Sequence, residues 1–544
     1  MAIMGFQAIA QPCVDSRILD LFANPEIPAI LRERMGFYSF FAEQVYPRLA
    51  GLLPELSTMY CQTNGRPAEN PVRLLGVLVL QFMTRQPDRQ ATDSCQSDLR
   101  WKLALHMQLD EAAFDPSLLT RFRDRLDKHG LQRLAFDCVL NLLIDGGWVK
   151  KANRQRIDST HVHGLVREMG RLECVRETLM LTLEELSDSG VTLVPVFHLW
   201  RRYVEEKYDW RQDKEAMCRD MATAGRDILE LLSWIDLQPE TIRRLQSITI
   251  LRRVFAENFD PMATVIPGKD RVSGAVQNPY DPDAQWSSKS TIKNKNWIGY
   301  KVQVAETVPD KPCEAKGDPT TAFIVSMTTQ QAIASDKPGM NQALAEQCDQ
   351  GLEPPPVIYA DGAYISGPDL AEAAAENREL RGPAQAPPHR NNLFTTVNFH
   401  VDMDKRQATC PAGHASTNCS RLHNPITDIT NYRIEWSKAI CGNCPLRNKC
   451  IGAKTHHRAL EIGEHYTYLQ QRRLEMKTDA FTQDMKQRAA IEGTHSELSR
   501  AHGLKRSRYR GLARQRMQNW IIGAACNIKR LYRLKTWLES KPKS

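Results

Sequence analysis

Residues 156–164 have the sequence RIDSTHVHG, and this stretch decides the fold. Ile157 and Val162 favour a β-strand, and one carboxylate, Asp158, lies between them. A central strand buried on both faces is normally apolar throughout, and an unpaired Asp there costs on the order of several kcal/mol. Asp158 is therefore either a cap at a strand end or the first carboxylate of a metal-dependent nuclease site. Residues elsewhere in the chain must decide between the two.

Length and composition predict an ordinary globular protein of several domains. The chain has 544 residues, enough for two to four domains, and is 42% hydrophobic and 25% charged. Its longest apolar run, 74–80, is too short to span a bilayer, and residues 1–11 lack the pattern of a secretory signal. Most of the 14 cysteines are isolated, which is typical of a reducing compartment. We expect a cytoplasmic protein with no membrane partner.

Positive charge is concentrated at the C-terminus. Residues 486–544 contain 15 Lys/Arg and 3 Asp/Glu, a net charge of +12 in a chain whose total is +8. The rest of the chain therefore carries −4. A basic tail on a slightly acidic body indicates a polyanionic partner, most simply nucleic acid.

The middle of the chain predicts an α/β fold with a mixed sheet. Strand patterns at 297–305, 323–328 and 356–361 follow the Asp158 strand, with helices near 339–348 and 368–377. The third strand ends in Asp361-Gly362, and such sheets place their chemistry at strand ends. The alternative for Asp361 is a common Asp-Gly turn. Helical patterns fill 28–150 and 166–258.

A cysteine cluster between 383 and 460 predicts a structural zinc site. The spacing Cys441-x2-Cys444 allows two thiolates to reach one ion, and Cys450 and Cys410 can complete a tetrahedral set. His414 and Cys419 are alternative ligands. A redox pair is less consistent with the sequence, because no thioredoxin-like strand and helix surround it.

A third carboxylate and a basic segment follow near the C-terminus. Glu492 lies four residues after Arg488 in a helical pattern, so the two share a face; an ordinary i,i+4 ion pair is the alternative. Residues 503–511 place four cations and a tyrosine between glycines, a composition suited to phosphate contacts. The four cations are Lys505, Arg506, Arg508 and Arg510.

This ordered set resembles the catalytic core of the DDE transposases of insertion sequences. Asp158 resembles the first Asp of that core, Ala360-Asp361-x2-Tyr364 resembles its A-D-x-x-Y segment, and Arg488-x3-Glu492 resembles part of its third-carboxylate signature. The cysteine cluster and 503–511 resemble the subgroup with a helical N-terminal domain. The likeness covers about residues 35–535.

The chain departs from that signature at two positions. Met485 stands where the family often has Tyr, and Ser499 stands seven residues after Glu492, where it has Lys or Arg. Arg500, one residue further, is a candidate replacement. Glu497 competes with Glu492 as the third ligand, but five residues separate them on the helix.

The resemblance implies an RNase H-like core and a specific chemistry. Asp158, Asp361 and Glu492 would bind two Mg²⁺ or Mn²⁺ ions and catalyse hydrolysis at transposon ends, followed by strand transfer of the 3′-hydroxyl into target DNA. Arg488, Arg500 and the four cations of 503–511 would contact DNA. The partners would be the terminal inverted repeats, target DNA and further copies of the chain, in a bacterial cell at the nucleoid. Two alternatives are an RNase H-like nuclease without strand transfer and a non-catalytic DNA-binding protein derived from a transposase.

The sequence also predicts domain bounds. We expect a helical N-terminal domain for DNA binding and assembly (1–150), a catalytic core (151–165 and 281–382), a helical insertion (166–280), a zinc-ribbon-like Cys-rich insertion (383–468), and a Glu helix with basic tail (469–544).

Overall fold

The strand that carries Asp158 lies in the middle of a mixed sheet. The structure is a computed structural model and describes residues 14–23, 29–61, 68–289, 295–310, 318–387, 392–426 and 428–541. The strands are β1 (Gln155–His163), β2 (Gln285–Ser288), β3 (Asn296–Thr307), β4 (Ile324–Gln331), β5 (Val357–Tyr359), β6 (Glu379–Arg381), β7 (His400–Asp402), β8 (Gln407–Thr409), β9 (Asn418–Asn424), β10 (Ile429–Glu435) and β11 (Ala459–Gly463).

The helices surround this sheet and form two insertions. They are α1 (Ser16–Ala23), α2 (Ala29–Phe40), α3 (Tyr46–Ala50), α4 (Leu53–Ser57), α5 (Pro71–Thr84), α6 (Asp88–Ser97), α7 (Leu99–Ala104), α8 (Ser117–Lys128), α9 (Leu134–Asp145), α10 (Arg171–Asp188), α11 (Phe197–Trp200), α12 (Lys214–Ile235), α13 (Glu240–Arg243), α14 (Gln246–Asn258), α15 (Asp336–Cys348), α16 (Gly367–Ala375), α17 (Lys438–Gly442), α18 (Arg447–Cys450), α19 (Tyr466–Glu475), α20 (Asp479–Ala489), α21 (Ile491–His502) and α22 (Leu512–Ser540).

The central sheet combines antiparallel and parallel pairs. Its order is β2-β3-β1-β5-β6, with β4 also paired to β3. β1 is antiparallel to β3, with Asp158 opposite Val304, and parallel to β5, with Arg156 opposite Tyr359. The expected mixed α/β order is confirmed, including the β3–β4 hairpin and the helices that became α15 and α16.

The N-terminal helices share a hydrophobic core with this sheet. α5 begins with Pro71 and is buried over almost its whole length, as its sequence predicts; the Asn70 side chain caps it by accepting a hydrogen bond from the Val72 amide at 2.9 Å. One continuous apolar cluster contains Leu78 of α5, Val139 of α9, Val304 of β3 and Ile522 of α22. Packing against α22 therefore joins the two ends of the chain.

Two insertions have apolar cores of their own. The helical insertion packs α10, α12 and α14 around residues such as Val175, Ile228 and Leu251. The Cys-rich insertion packs β7–β11 around Ile434, Trp436 and neighbouring side chains.

The helical pattern around Glu492 is divided between two helices. α20 ends at Ala489 and α21 begins at Ile491, with Ala490 keeping helical backbone angles between them. Among the helices of the described residues, none has both the length and the apolar character that a membrane span requires.

Candidate active site

Asp158 is a largely buried carboxylate on the middle strand. Its side chain is 14% exposed. The Ser159 amide donates to one carboxylate oxygen at 2.8 Å, and the Arg488 guanidinium lies 3.3 Å from the other. Because β1 is buried in mid-sheet, these two groups compensate only part of the cost of placing a charge there.

Asp361 follows β5, the parallel neighbour of β1. The pairing of Arg156 with Tyr359, continued two residues along each chain, brings Asp158 beside Asp361. Asp361 caps the short 3-10 turn Gly362–Tyr364 by accepting a hydrogen bond from the Ala363 amide at 2.8 Å. The Asp-Gly turn and the position at a strand end are therefore both present, and the turn does not exclude a role in the site.

The electrostatics of Asp158 reflect this placement. Burial raises the pKa of Asp158 to about 6, and the charge of Asp361 acts in the same direction. The Ser159 amide, Arg488 and Lys289 oppose the shift in that pKa without cancelling it. The two carboxylates thus lie close enough to repel each other.

Glu492 lies in the first turn of α21 and is 69% exposed. The Arg488 guanidinium, which contacts Asp158 through one terminal nitrogen, lies 3.3 Å from Glu492 through the other. Arg488 therefore bridges the strand carboxylate and the helix carboxylate. The ion pair expected from the i,i+4 spacing is present despite the break at Ala490.

A buried ion network joins this helix to the sheet. Glu306 of β3 is fully buried and accepts hydrogen bonds from Arg156 at 2.6 Å, Arg530 at 2.8 Å and Thr494 at 2.7 Å. Burial alone would raise the pKa of Glu306, but the charges of Arg530 and Arg156 outweigh it and hold that pKa below its ordinary value. Thr494 is two residues from Glu492 and Arg156 is two residues from Asp158, so the network sets the distance between strand and helix.

Glu497 forms its ion pairs with α22. It pairs with Arg530 at 2.8 Å and with Arg533 at 3.3 Å, both on α22. Two basic neighbours thus hold this carboxylate on the side of α21 that packs against α22.

The basic segment 503–511 lies along the end of β1. The His163 amide donates to the Lys505 carbonyl at 2.9 Å, and the Ser507 amide donates to the His163 carbonyl at 2.8 Å. The Lys505 amine lies 2.5 Å from the Thr160 hydroxyl oxygen. Thr160 is two residues from Asp158, so Lys505 contacts the strand face that also carries Asp158.

The other predicted DNA-contacting cations have different surroundings. Arg506 and Arg510 are exposed, and Arg510 stacks on the Tyr280 ring. Arg508 donates to the Gln86 carbonyl at 2.7 Å and lies over the Phe82 ring, contacts that hold it within the fold. Arg500 is exposed and lines a cleft with Glu497 and Arg533.

The four predicted zinc ligands converge in the Cys-rich insertion. Cys410, Cys441, Cys444 and Cys450 line one small cavity together with His414. Burial raises the pKa of Cys450, and the other three thiols add to the shift. The Arg458 amide donates to the Cys441 sulfur at 3.4 Å, the kind of contact that stabilises a thiolate.

Metal-binding geometry is incomplete both at the candidate catalytic carboxylates and at the cysteine cluster. Among the described residues, no group of three or more His, Cys, Asp or Glu side chains is arranged to hold a metal ion. At the carboxylates, the Arg488 guanidinium lies between Asp158 and Glu492. The donor sets still suit the expected ions, since carboxylate oxygens suit Mg²⁺ and thiolates suit Zn²⁺.

Two family models match separate parts of the chain. Residues 409–532 match the family described as "Transposase DDE domain", and residues 37–125 match "Transposase domain (DUF772)". Both matched segments are therefore similar to transposase domains. The first match includes Glu492 and the cysteine cluster, whereas Asp158 and Asp361 lie outside both matches. No curated protein matches this sequence.

Sequence reasoning missed several residues around the candidate carboxylates. Glu306 and Arg530 resemble ordinary strand and helix charges, and only their burial reveals the network. The charge of Lys289 acts on the pKa values of Asp158 and Lys505, and the charges of Lys505 and Lys289 act on the pKa of His495. For Lys289 a signal existed, because it lies in a polar, lysine-rich loop just before β3.

Proposed function

We propose that this protein is a DDE transposase of an insertion sequence, which hydrolyses a phosphodiester bond at each end of its element and joins the freed 3′-hydroxyl to target DNA in a cut-and-paste reaction. The observation that carries the proposal is the clustering of Asp158, Arg488 and Glu492, with Asp361 acting on the pKa of Asp158, in a chain with two segments similar to transposase domains. The mixed sheet with Asp158 on its middle strand supports an RNase H-like core.

Asp158, Asp361 and Glu492 would hold two Mg²⁺ or Mn²⁺ ions. Bound there, the ions would supply activation of the nucleophile and neutralisation of charge at the reacting phosphate. The carboxylate charges that repel each other in the DNA-free protein are the physical reason for cations at this place. Arg488 would exchange its carboxylate contacts for a phosphate oxygen near the scissile bond, since a guanidinium suits both partners.

The exposed cations would bind the DNA around the cut. Arg506 and Arg510 carry exposed charges beside the end of β1, and Lys505 contacts Thr160, two residues from Asp158 on the same face of that strand. Phosphate contacts of this kind position DNA without reading its sequence. The partners would be the terminal inverted repeats and target DNA, and two ends would be held by a multimer of this chain on the bacterial nucleoid.

The decisive experiment compares carboxylate variants on an oligonucleotide duplex that carries the element's terminal repeat. Asp158→Asn and Asp361→Asn should abolish Mg²⁺-dependent cleavage and keep DNA binding, whereas Asp310→Asn, an exposed Asp paired with Lys150, should cut normally. Cleavage that survives Asp158→Asn would refute the assignment. Cleavage by the wild type without joining of the 3′-end to a second duplex would favour the nuclease, and binding without any cleavage would favour the non-catalytic protein.

The Cys-rich insertion would bind one structural Zn²⁺. Cys410, Cys441, Cys444 and Cys450 would be the ligands; His414 lines the same cavity, whereas Cys419, on β9, does not line it. A closed set of thiolates has no position for substrate, so the ion would stabilise the fold of this insertion. Metal analysis should find one zinc per chain in the wild type and none in Cys441→Ser, with Cys218→Ser, an exposed cysteine of α12, as control.

A further inference from the structure

Lys505 is a half-buried amine without an acidic partner. Its hydrogen-bonding neighbours are neutral oxygens, the Thr160 hydroxyl at 2.5 Å and the His161 carbonyl at 3.5 Å. No Asp or Glu of the described residues pairs with it. Burial, with the charge of Lys289 acting in the same direction, lowers the pKa of Lys505 to about 8. A lysine in such surroundings is normally paired, because an uncompensated buried charge is costly.

A second cation faces the same place. Lys289 is exposed just after β2, and its amide donates to the Lys295 carbonyl at 3.0 Å. Its charge acts on the pKa values of Asp158, His495 and Lys505, so its amine lies within electrostatic reach of all three. Within the part of the chain that the structure describes, Lys289 also has no carboxylate partner.

His495 adds a neutral donor to this group. It lies one turn after Glu492 on α21, and its Nε2 is buried without a hydrogen-bond partner. Burial lowers the pKa of His495 to about 4, so the ring is neutral at pH 7. A neutral ring that carries its proton on Nε2 can donate to an anion.

A bound anion would compensate all of these groups. Two ammonium groups that repel each other, and a buried ring nitrogen without a partner, are all satisfied by one oxyanion. Thr160 is two residues from Asp158 along β1, about 6.6 Å at the ordinary rise of a strand. Since DNA advances 3.4 Å per nucleotide along each strand, this place lies within about two nucleotides of the carboxylates.

We propose that Lys289, Lys505, the Thr160 hydroxyl and His495 form a pocket for one backbone phosphate of the DNA strand that is cut. The proposal rests on the proposed function for the identity of the strand. The pocket would fix the register of that strand, and so would select which phosphate reaches Asp158, Asp361 and Glu492.

The first test measures binding in EDTA, where no cleavage occurs. The probe is a fluorescent duplex carrying the terminal repeat, taken from the DNA that flanks the gene, with single phosphates replaced by uncharged methylphosphonates. One position near the cut should weaken wild-type binding about tenfold, and Lys505→Gln should lose sensitivity at that position alone. Lys505→Arg should keep it, and Lys214→Gln, an exposed lysine of α12, should behave as wild type. Equal sensitivity profiles for wild type and Lys505→Gln would overturn the pocket.

The second test uses the wild-type chain and so does not depend on folding of a variant. An amine-reactive reagent labels accessible lysines, and mass spectrometry reads the labelling of Lys505. The terminal-repeat duplex should protect Lys505 several-fold, and inorganic phosphate alone should protect it only at far higher concentration. Labelling that is unchanged by the duplex would overturn the proposal, and equal protection by inorganic phosphate would reassign the pocket to free phosphate. Neither test needs cleavage, so a failure of the transposition chemistry would leave the pocket to be judged separately.

Discussion

At the residue scale, Arg488 links two carboxylates that the chain brings from distant positions. Its terminal nitrogens lie 3.3 Å from Asp158 and 3.3 Å from Glu492, and its side chain is 23% exposed. A cation in this position lowers the repulsion between the carboxylates and also competes with any metal ion that would bind them. The DNA-free protein therefore has a built-in counter-ion at its candidate active site.

Removing that counter-ion should strengthen metal binding. We expect Arg488→Gln to bind Mn²⁺ about fivefold more tightly than the wild type without DNA, equivalent to ~1 kcal/mol, because the competing charge is lost. Titration calorimetry at pH 7.5 measures this affinity. Lys486→Gln, which removes an exposed charge that contacts Gln483 in the same helix, is the control. An unchanged affinity in Arg488→Gln would show that the guanidinium does not compete with the metal.

His502 makes a second residue-scale prediction, on stability. It is 1% exposed at the end of α21, and burial lowers its pKa from 6.5 to about 4, with Lys529 acting in the same direction. Between these pH values the unfolded chain binds a proton that the folded chain does not, so stability is fully present above pH 6.5 and is lost as the pH falls toward 4.

The expected loss from His502 between pH 7.5 and pH 5 is about 2 kcal/mol. In His502→Gln this contribution disappears, so the urea midpoint should fall less over the same range. His198→Gln replaces a half-exposed histidine of the helical insertion and should keep the wild-type pH dependence. Identical pH profiles for the wild type and His502→Gln would contradict the prediction.

At the scale of elements, one buried carboxylate positions α21 and α22 against the sheet. Glu306 of β3 binds Arg156 of β1, Thr494 of α21 and Arg530 of α22. Since Arg156 and Thr494 lie close in sequence to Asp158 and Glu492, the separation of the two candidate catalytic carboxylates depends on this contact.

Breaking the network should be strongly destabilising. Glu306→Gln leaves the buried guanidinium of Arg156 without its anion and removes one of the two carboxylates that pair with Arg530, and we expect a loss of about 3–5 kcal/mol in the free energy of unfolding. Arg533→Ala removes a 61% exposed partner of Glu497 and should cost less than about 1 kcal/mol. Denaturant unfolding followed by tryptophan fluorescence compares the two variants. Similar midpoints would mean that the network contributes little.

At the scale of the whole molecule, the helical insertion is a candidate independent unit. Its apolar cluster is its own, and its ends meet where the Asn278 side chain donates to the Arg167 carbonyl at 3.1 Å. A segment with its own core and adjacent ends can fold alone.

We therefore expect residues 167–278, expressed alone, to be helical and to unfold cooperatively. Leu231→Ala, fully buried, should lower the stability of this fragment by about 2–5 kcal/mol, whereas Leu229→Ala, more than a third exposed on the same helix, should have little effect. Circular dichroism during thermal unfolding tests both statements. A fragment that shows no cooperative transition would mean that the insertion depends on the rest of the chain.

Local patterns in the sequence determined the elements of this protein and the order of its acidic residues. Strand patterns predicted β1, β3, β4 and β5, and Asp158, Asp361 and Glu492 could be named because each lies in a short, recognisable stretch. The cysteine spacing likewise pointed to one cluster, whose members line a common cavity. Such patterns lie within short stretches of sequence, so they can be recognised without knowledge of the fold.

The tertiary structure alone decided which charges meet. Glu306 contacts Arg156 across 150 positions and Arg530 across 224, and Lys505 reaches Thr160 across 345. No periodicity relates such residues; their contacts follow from the antiparallel register of β1 with β3, in which Arg156 lies opposite Glu306, and from the packing of α21 and α22 on the sheet. A charged side chain costs little free energy in water but much when it is buried without a partner. Burial is a property of the folded chain rather than of the sequence around a residue.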